Sequence, residues 1–108
     1  MMLANATPPP AMRCYATIER AYPADKHLRR LVHDGDYAAT EWSATEGGGG
    51  ESVLVHRHGR WCMVTSGGGA LGVDEFVRAG VPRSVAQRLY AKLRYSQLHA
   101  TPFPQRRP

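Results

Sequence analysis

Residues 56–72, HRHGRWCMVTSGGGALG, crowd two histidines, a cysteine, a tryptophan and a glycine-rich turn into one short stretch. Cys62 would act as a nucleophile if a nearby cation or helix start held it as thiolate. His56 and His58, two residues apart on a strand, could chelate a metal from one face. Gly67, Gly69 and Gly72 spell G-x-G-x-x-G, the spacing that lets backbone N–H groups approach a pyrophosphate.

Each feature also has a plainer expectation. A hairpin turning at His58-Gly59 sets Cys62 opposite Val55, on the face away from His56, so a buried structural cysteine is expected. His58 is needed in that turn and a third ligand would have to come from afar, so no metal site is expected. The glycines follow an antiparallel hairpin rather than opening a βαβ unit. Asp74 and Glu75 in the next helical turn would repel a pyrophosphate, so no cofactor is expected. No nucleophile–base pair or carboxylate pair can be assembled, and the chain is expected not to be an enzyme. What remains is the hairpin tip itself. An aromatic flanked by arginine is the composition of an interaction hot spot, which makes His56, Arg57, His58, Arg60 and Trp61 the expected contact set for a protein partner. The bland alternative for Trp61 is plain core.

The elements that must position this tip follow from the patterning. The run AMRCYATIERAY has helical spacing up to Tyr22, before Pro23. DKHLRRLVH places Leu28, Leu31 and Val32 on one helical stripe, with Asp25 as cap and Gly35 past the end. Alternation predicts a strand over 36–44, with Ala38, Thr40 and Trp42 on one side. EGGGGE, residues 46–51, is expected to be a mobile loop. SVLVHRHGRWCMVTS predicts a β-hairpin pairing Arg57 with Arg60, His56 with Trp61, Val55 with Cys62, Leu54 with Met63 and Val53 with Val64. DEFVRAG predicts a short helix. VPRSVAQRLYAKLRY predicts a longer one whose stripe is Val81, Val85, Leu89 and Leu93. The expected fold is α+β: an antiparallel meander of about three strands with N-terminal and C-terminal helices packed on it. One domain over 11–97 is expected, after a leader at 1–10 and before a Pro- and Arg-rich tail at 98–108.

The 108 residues carry a formal net charge of +5. Residues 1–54 hold five basic and seven acidic groups, net −2; residues 55–108 hold nine basic and two acidic, net +7. A basic half attracts nucleic acid, anionic lipid or an acidic protein. No apolar run is long enough for a membrane helix. No signal peptide is visible, so a cytoplasmic location is expected if the chain is complete and an extracytoplasmic one if a leader was removed. Cys14 and Cys62 could be bridged or free; two buried thiols are the expectation.

FVRAGVPRSVAQRLYAKL, within 74–94, resembles the helix-turn-helix of bacterial repressors. The resemblance implies DNA binding, with Arg83 and Arg88 meeting phosphates and Ser84 and Gln87 meeting base edges. A second resemblance spans about half the chain. Residues 35–37, Trp42, Trp61, 67–69 and 80–82 (Gly-Asp-Tyr, the two tryptophans, triple glycine, Gly-Val-Pro) are similar to a family of small cyanobacterial proteins of unknown function, which implies no particular activity. The order of strands and helices also resembles cystatin-like and nuclear-transport-factor-like sheets. It implies a small enzyme or ligand-binding domain as a further alternative, whose mark would be a pocket gathering His56, Glu41 or Cys62.

Overall fold

The structure is a computed structural model that describes residues 12–99, with side chains described through Tyr95. The expected leader lies outside the described residues, as does the tail beyond His99. Five strands form one antiparallel sheet: β1 Cys14–Tyr15, β2 Lys26–Asp34, β3 Tyr37–Ala44, β4 Gly49–Arg57 and β5 Arg60–Gly68, in the order β1-β5-β4-β3-β2. Two helices follow, α1 Val73–Arg78 and α2 Arg83–His99. The sheet therefore has five strands rather than three. The helices both come after it in the chain and do not flank it.

The largest correction concerns residues 26–34, where a helix was expected. Leu28, Leu31 and Val32 have helical spacing, but a register shift against β3 lies between Leu28 and Arg30. A bulge resets the two-residue alternation. Leu28 and Leu31 therefore reach the same sheet face, while Val32 turns to the other. A bulged strand thus imitates a helical stripe. The expected first helix is likewise reduced to a 3-10 turn at Glu19–Ala21, because Cys14 and Tyr15 are drawn into the ladder beside Cys62 and Trp61. Residues 16–25 then cross beneath the sheet from one edge to the other.

This crossing gives the sheet two covered faces. On one, Ala39 and Val53 meet Phe76, Val81, Ala86, Leu89 and Leu93 of the helical pair. Val81, Leu89 and Leu93 are each at most 2% exposed, so the four-residue stripe does face the core. Burying a side chain of this size contributes roughly 1.5–3 kcal/mol. On the other face, Ile18 packs on Ala38 and Leu54, with Tyr22, Leu28, Leu31, Trp61 and Met63 around them. A row of hydroxyls runs alongside. Tyr22 Oη lies 2.5 Å from Thr40 Oγ1, the Trp42 indole N–H donates to Ser52 Oγ at 3.0 Å, and Ser52 and Ser66 meet at 2.9 Å. Thr40 and Ser52 are fully buried, and these bonds satisfy their hydroxyls.

The glycine run is also corrected. Only Gly47 and Gly48, with φ of 108° and 80°, lie in the connection. Gly49 and Gly50 are the first residues of β4, and a Cβ at Gly50 would stand 2.0 Å from the Gly67 carbonyl oxygen and 2.6 Å from the Trp42 ring. Packing holds these two glycines, against the expectation of a wholly mobile loop.

Candidate functional site

The hairpin tip is built as its local chemistry demands. His58 and Gly59 take φ of 51° and 75°, the double positive φ of the turn that matches strand twist. Pairing runs Arg57↔Arg60, His56↔Trp61, Val55↔Cys62 and Leu54↔Met63, then shifts so that Val53 faces Thr65 instead of Val64. A bulge on β5 is the cause. The His56 amide donates to the Asp36 carbonyl at 2.7 Å, which brings the β2–β3 turn beside the tip.

Trp61 is the centre of this end. It is half-buried, packing inward on the Ile18–Ala38–Leu54 cluster. Outward it carries two exposed imidazoles. The His56 ring centroid lies 5.0 Å away at 53°, and that of His33 lies 5.6 Å away, edge-on at 67°. Tyr15 sits opposite Trp61 on the neighbouring strand. Trp61 thus packs on the core on one side and meets two imidazoles on the other. His33 and Tyr15 were not expected here. His33 reaches Trp61 only because residues 26–34 are a strand, and Tyr15 only because β1 joins β5.

Cations lie at the same end of the hairpin, but Arg57 and Arg60 alternate with His56 and Trp61 and so leave from the opposite face of the strands. Arg57 and His58 are exposed at the turn, and Arg60 donates to the Cys14 carbonyl at 3.4 Å. Arg13 lies one residue before β1. None of these four has a carboxylate partner among the described residues. Most other arginines of the structure are engaged. Arg83 meets Asp74 at 3.4 Å, and Arg88 grips Asp34 at 3.0 Å with Lys92 beside it. The Arg88 hydrogen bonds hold the Asp34 carboxyl below its ordinary range. Arg94 donates to both oxygens of buried Glu51, at 2.7 and 3.1 Å, and to the Leu71 carbonyl. That hydrogen-bonded carboxylate raises the guanidinium pKa.

The other candidates take their places around this site. Cys62 is bonded to Cys14, so the two thiols expected free form a disulfide, which removes the nucleophile. The two cysteines are cross-strand neighbours, with Cα atoms 3.9 Å apart. His56 and His58 are not joined by a third ligand: no cluster of three His, Cys, Asp or Glu that could hold a metal occurs among the described residues. In the glycine motif, the Leu71 amide donates to Glu51 Oε1 at 2.8 Å and the Gly72 amide to Glu75 Oε1 at 2.5 Å. The chain's own carboxylates already occupy the N–H groups that a phosphate would need. Glu41 pairs with Arg30 at 2.7 Å, on the sheet face away from His56, so His56, Glu41 and Cys62 do not converge. Ser84 and Gln87 are exposed on α2, with Arg83 and Arg88 drawn aside to their acids.

No protein-family model, curated protein or solved structure matches this chain. No helix among the described residues is long and apolar enough to cross a membrane.

Proposed function

We propose that this chain is a non-enzymatic binding module that engages a protein partner through the end of the β4–β5 hairpin. Trp61 with His33 and His56 forms a platform on one face of the hairpin end, His58 lies in the turn, and Arg57 and Arg60 lie on the other face. The observation that carries this is the contrast in charge. Cations at the tip lack acidic partners among the described residues, while those on α2 have them. A partner segment that wraps the hairpin end sets an apolar side chain on the aromatic face and carboxylates against the guanidinium groups of the other face. The helix-turn-helix alternative loses support because Arg83 and Arg88 would have to leave Asp74 and Asp34 to reach phosphates.

The test uses a Trp42→Phe background, so that the indole emission reports Trp61 alone. A glutamate-rich peptide containing tyrosine is titrated in. Emission should shift, the affinity should fall as salt rises, and replacing Arg57 and Arg60 by alanine should weaken binding about tenfold or more. Duplex DNA is titrated in parallel. Should DNA bind and the peptide not, with Arg83→Ala and Arg88→Ala removing the DNA signal, the proposal is wrong and the helix-turn-helix alternative replaces it.

A further inference from the structure

β2 is the last strand of the sheet, paired on one side only, and a bulge interrupts that pairing between Leu28 and Arg30. An edge element with so few ties frays at its end unless something holds it. His33 sits at that end. Among the described residues its ring meets Trp61 and makes no hydrogen bond, so the backbone decides where the imidazole stands.

Two side chains of α2 hold this backbone. The Lys92 ammonium donates to the His33 carbonyl at 2.6 Å, which alternation turns outward at the sheet edge. Arg88 Nε donates to both oxygens of Asp34, at 3.0 and 3.1 Å, and its Nη2 adds a contact at 3.0 Å. Residues four apart on a helix share one side, so Arg88 and Lys92 can act together on neighbouring residues of β2. Successive strand residues point to opposite faces, so Asp34 reaches α2 while His33 projects to the Trp61 face. The β2–β3 turn follows directly. Gly35 takes φ of 59° there, and the Asp36 carbonyl accepts the His56 amide at 2.7 Å. Both imidazoles beside Trp61 are therefore tied to the turn that α2 holds.

We propose that Arg88 and Lys92 are positioning residues for the Trp61 platform, a role that rests on the binding function proposed for it. By fixing residues 33 and 34 they set the His33 imidazole against the indole. A partner then meets a surface that is already ordered, and binding does not bear the cost of ordering it. The Arg88 side chain is 55% exposed, and an ion pair so open to water contributes little to stability. Its loss acts on the platform more than on the fold.

Arg88→Ala with Lys92→Met breaks the clamp. Arg78→Ala with Arg83→Ala removes the same charge from the helices and leaves Asp34 its partners. His33→Ala removes the group that is positioned. Two measurements are made on the full chain. The side-chain proton shifts of His33 report its place beside the indole with no ligand present. They should move toward those of an unfolded chain in the clamp variant and stay in place in the charge control. The tyrosine-containing, glutamate-rich peptide is then titrated into each variant and combination. Breaking the clamp should weaken binding about fivefold when His33 is present and less than about twofold in the His33→Ala chain, a non-additivity that a general loss of stability would not give. His33 shifts that ignore the clamp variant, or equal losses with and without His33, would overturn the positioning role. A peptide that the unmutated chain does not bind, with His33 shifts that do respond to the clamp, would instead overturn the binding function and leave the clamp standing.

Discussion

Tyr22 is where a single side chain makes the fold sensitive to pH. Burial of the phenol beneath the sheet raises its pKa, while the hydrogen bonds with Thr40 and Ser52 act the other way. The folded chain therefore holds this proton more tightly than the unfolded chain. The associated stability is fully present below the ordinary phenol range and is lost as pH rises through and beyond it. Stability to urea should fall between about pH 9 and about pH 11, and it should fall less in Tyr22→Phe. At neutral pH that variant should be about 1 kcal/mol less stable, because the buried Thr40 hydroxyl loses its partner. If the two proteins lose stability in parallel at alkaline pH, another group is responsible. The same residue scale explains why Trp61 could not be assigned to core or surface from its neighbours in the chain. One face of its ring is packed and the other bears imidazoles.

Among the elements, β4 shows how a glycine run can be structural. Gly50 lies where the Trp42 ring and the Gly67 carbonyl leave no room for a methyl group. Gly50→Ala should cost about 1–3 kcal/mol by overpacking. Gly48→Ala, whose Cβ would meet nothing within 4 Å, should cost about 1 kcal/mol through its positive φ alone. Chemical denaturation of the two variants checks the order; equal losses would mean that β4 does not begin at this point. The β4–β5 hairpin was legible because turn chemistry and alternation are local, and its turn and first four pairs agree with expectation. β2 was not legible, because a bulge between Leu28 and Arg30 is invisible in the residues and mimics a helical stripe. The hairpin part of the candidate site could thus be read from the chain, while His33 could not.

For the molecule as a whole, the Cys14–Cys62 disulfide spans 48 residues of sequence. It fastens a two-residue strand whose onward chain covers a full face of the sheet. Chain-entropy reasoning gives a closed loop of this size about 4 kcal/mol of stabilisation. Reduction should lower the urea midpoint accordingly and expose Trp61, whose packing depends on the crossing segment, so its emission should move to longer wavelength before global unfolding. A midpoint indifferent to reductant would show that β1 and the crossing segment are held without the bond.

The chain by itself determined the β-hairpin, its turn at His58-Gly59 and the aliphatic stripe of α2. All of these rest on residues within a turn or two of one another, where φ preference and periodicity leave a direct mark. Only the tertiary structure decided that 26–34 is an edge strand, that Cys14 meets Cys62, that His33 joins Trp61, and which cations lack an acid. Those outcomes depend on pairings closed over tens of residues, where a bulge or a crossing connection moves a side chain from one face of the sheet to the other without changing the pattern that precedes it.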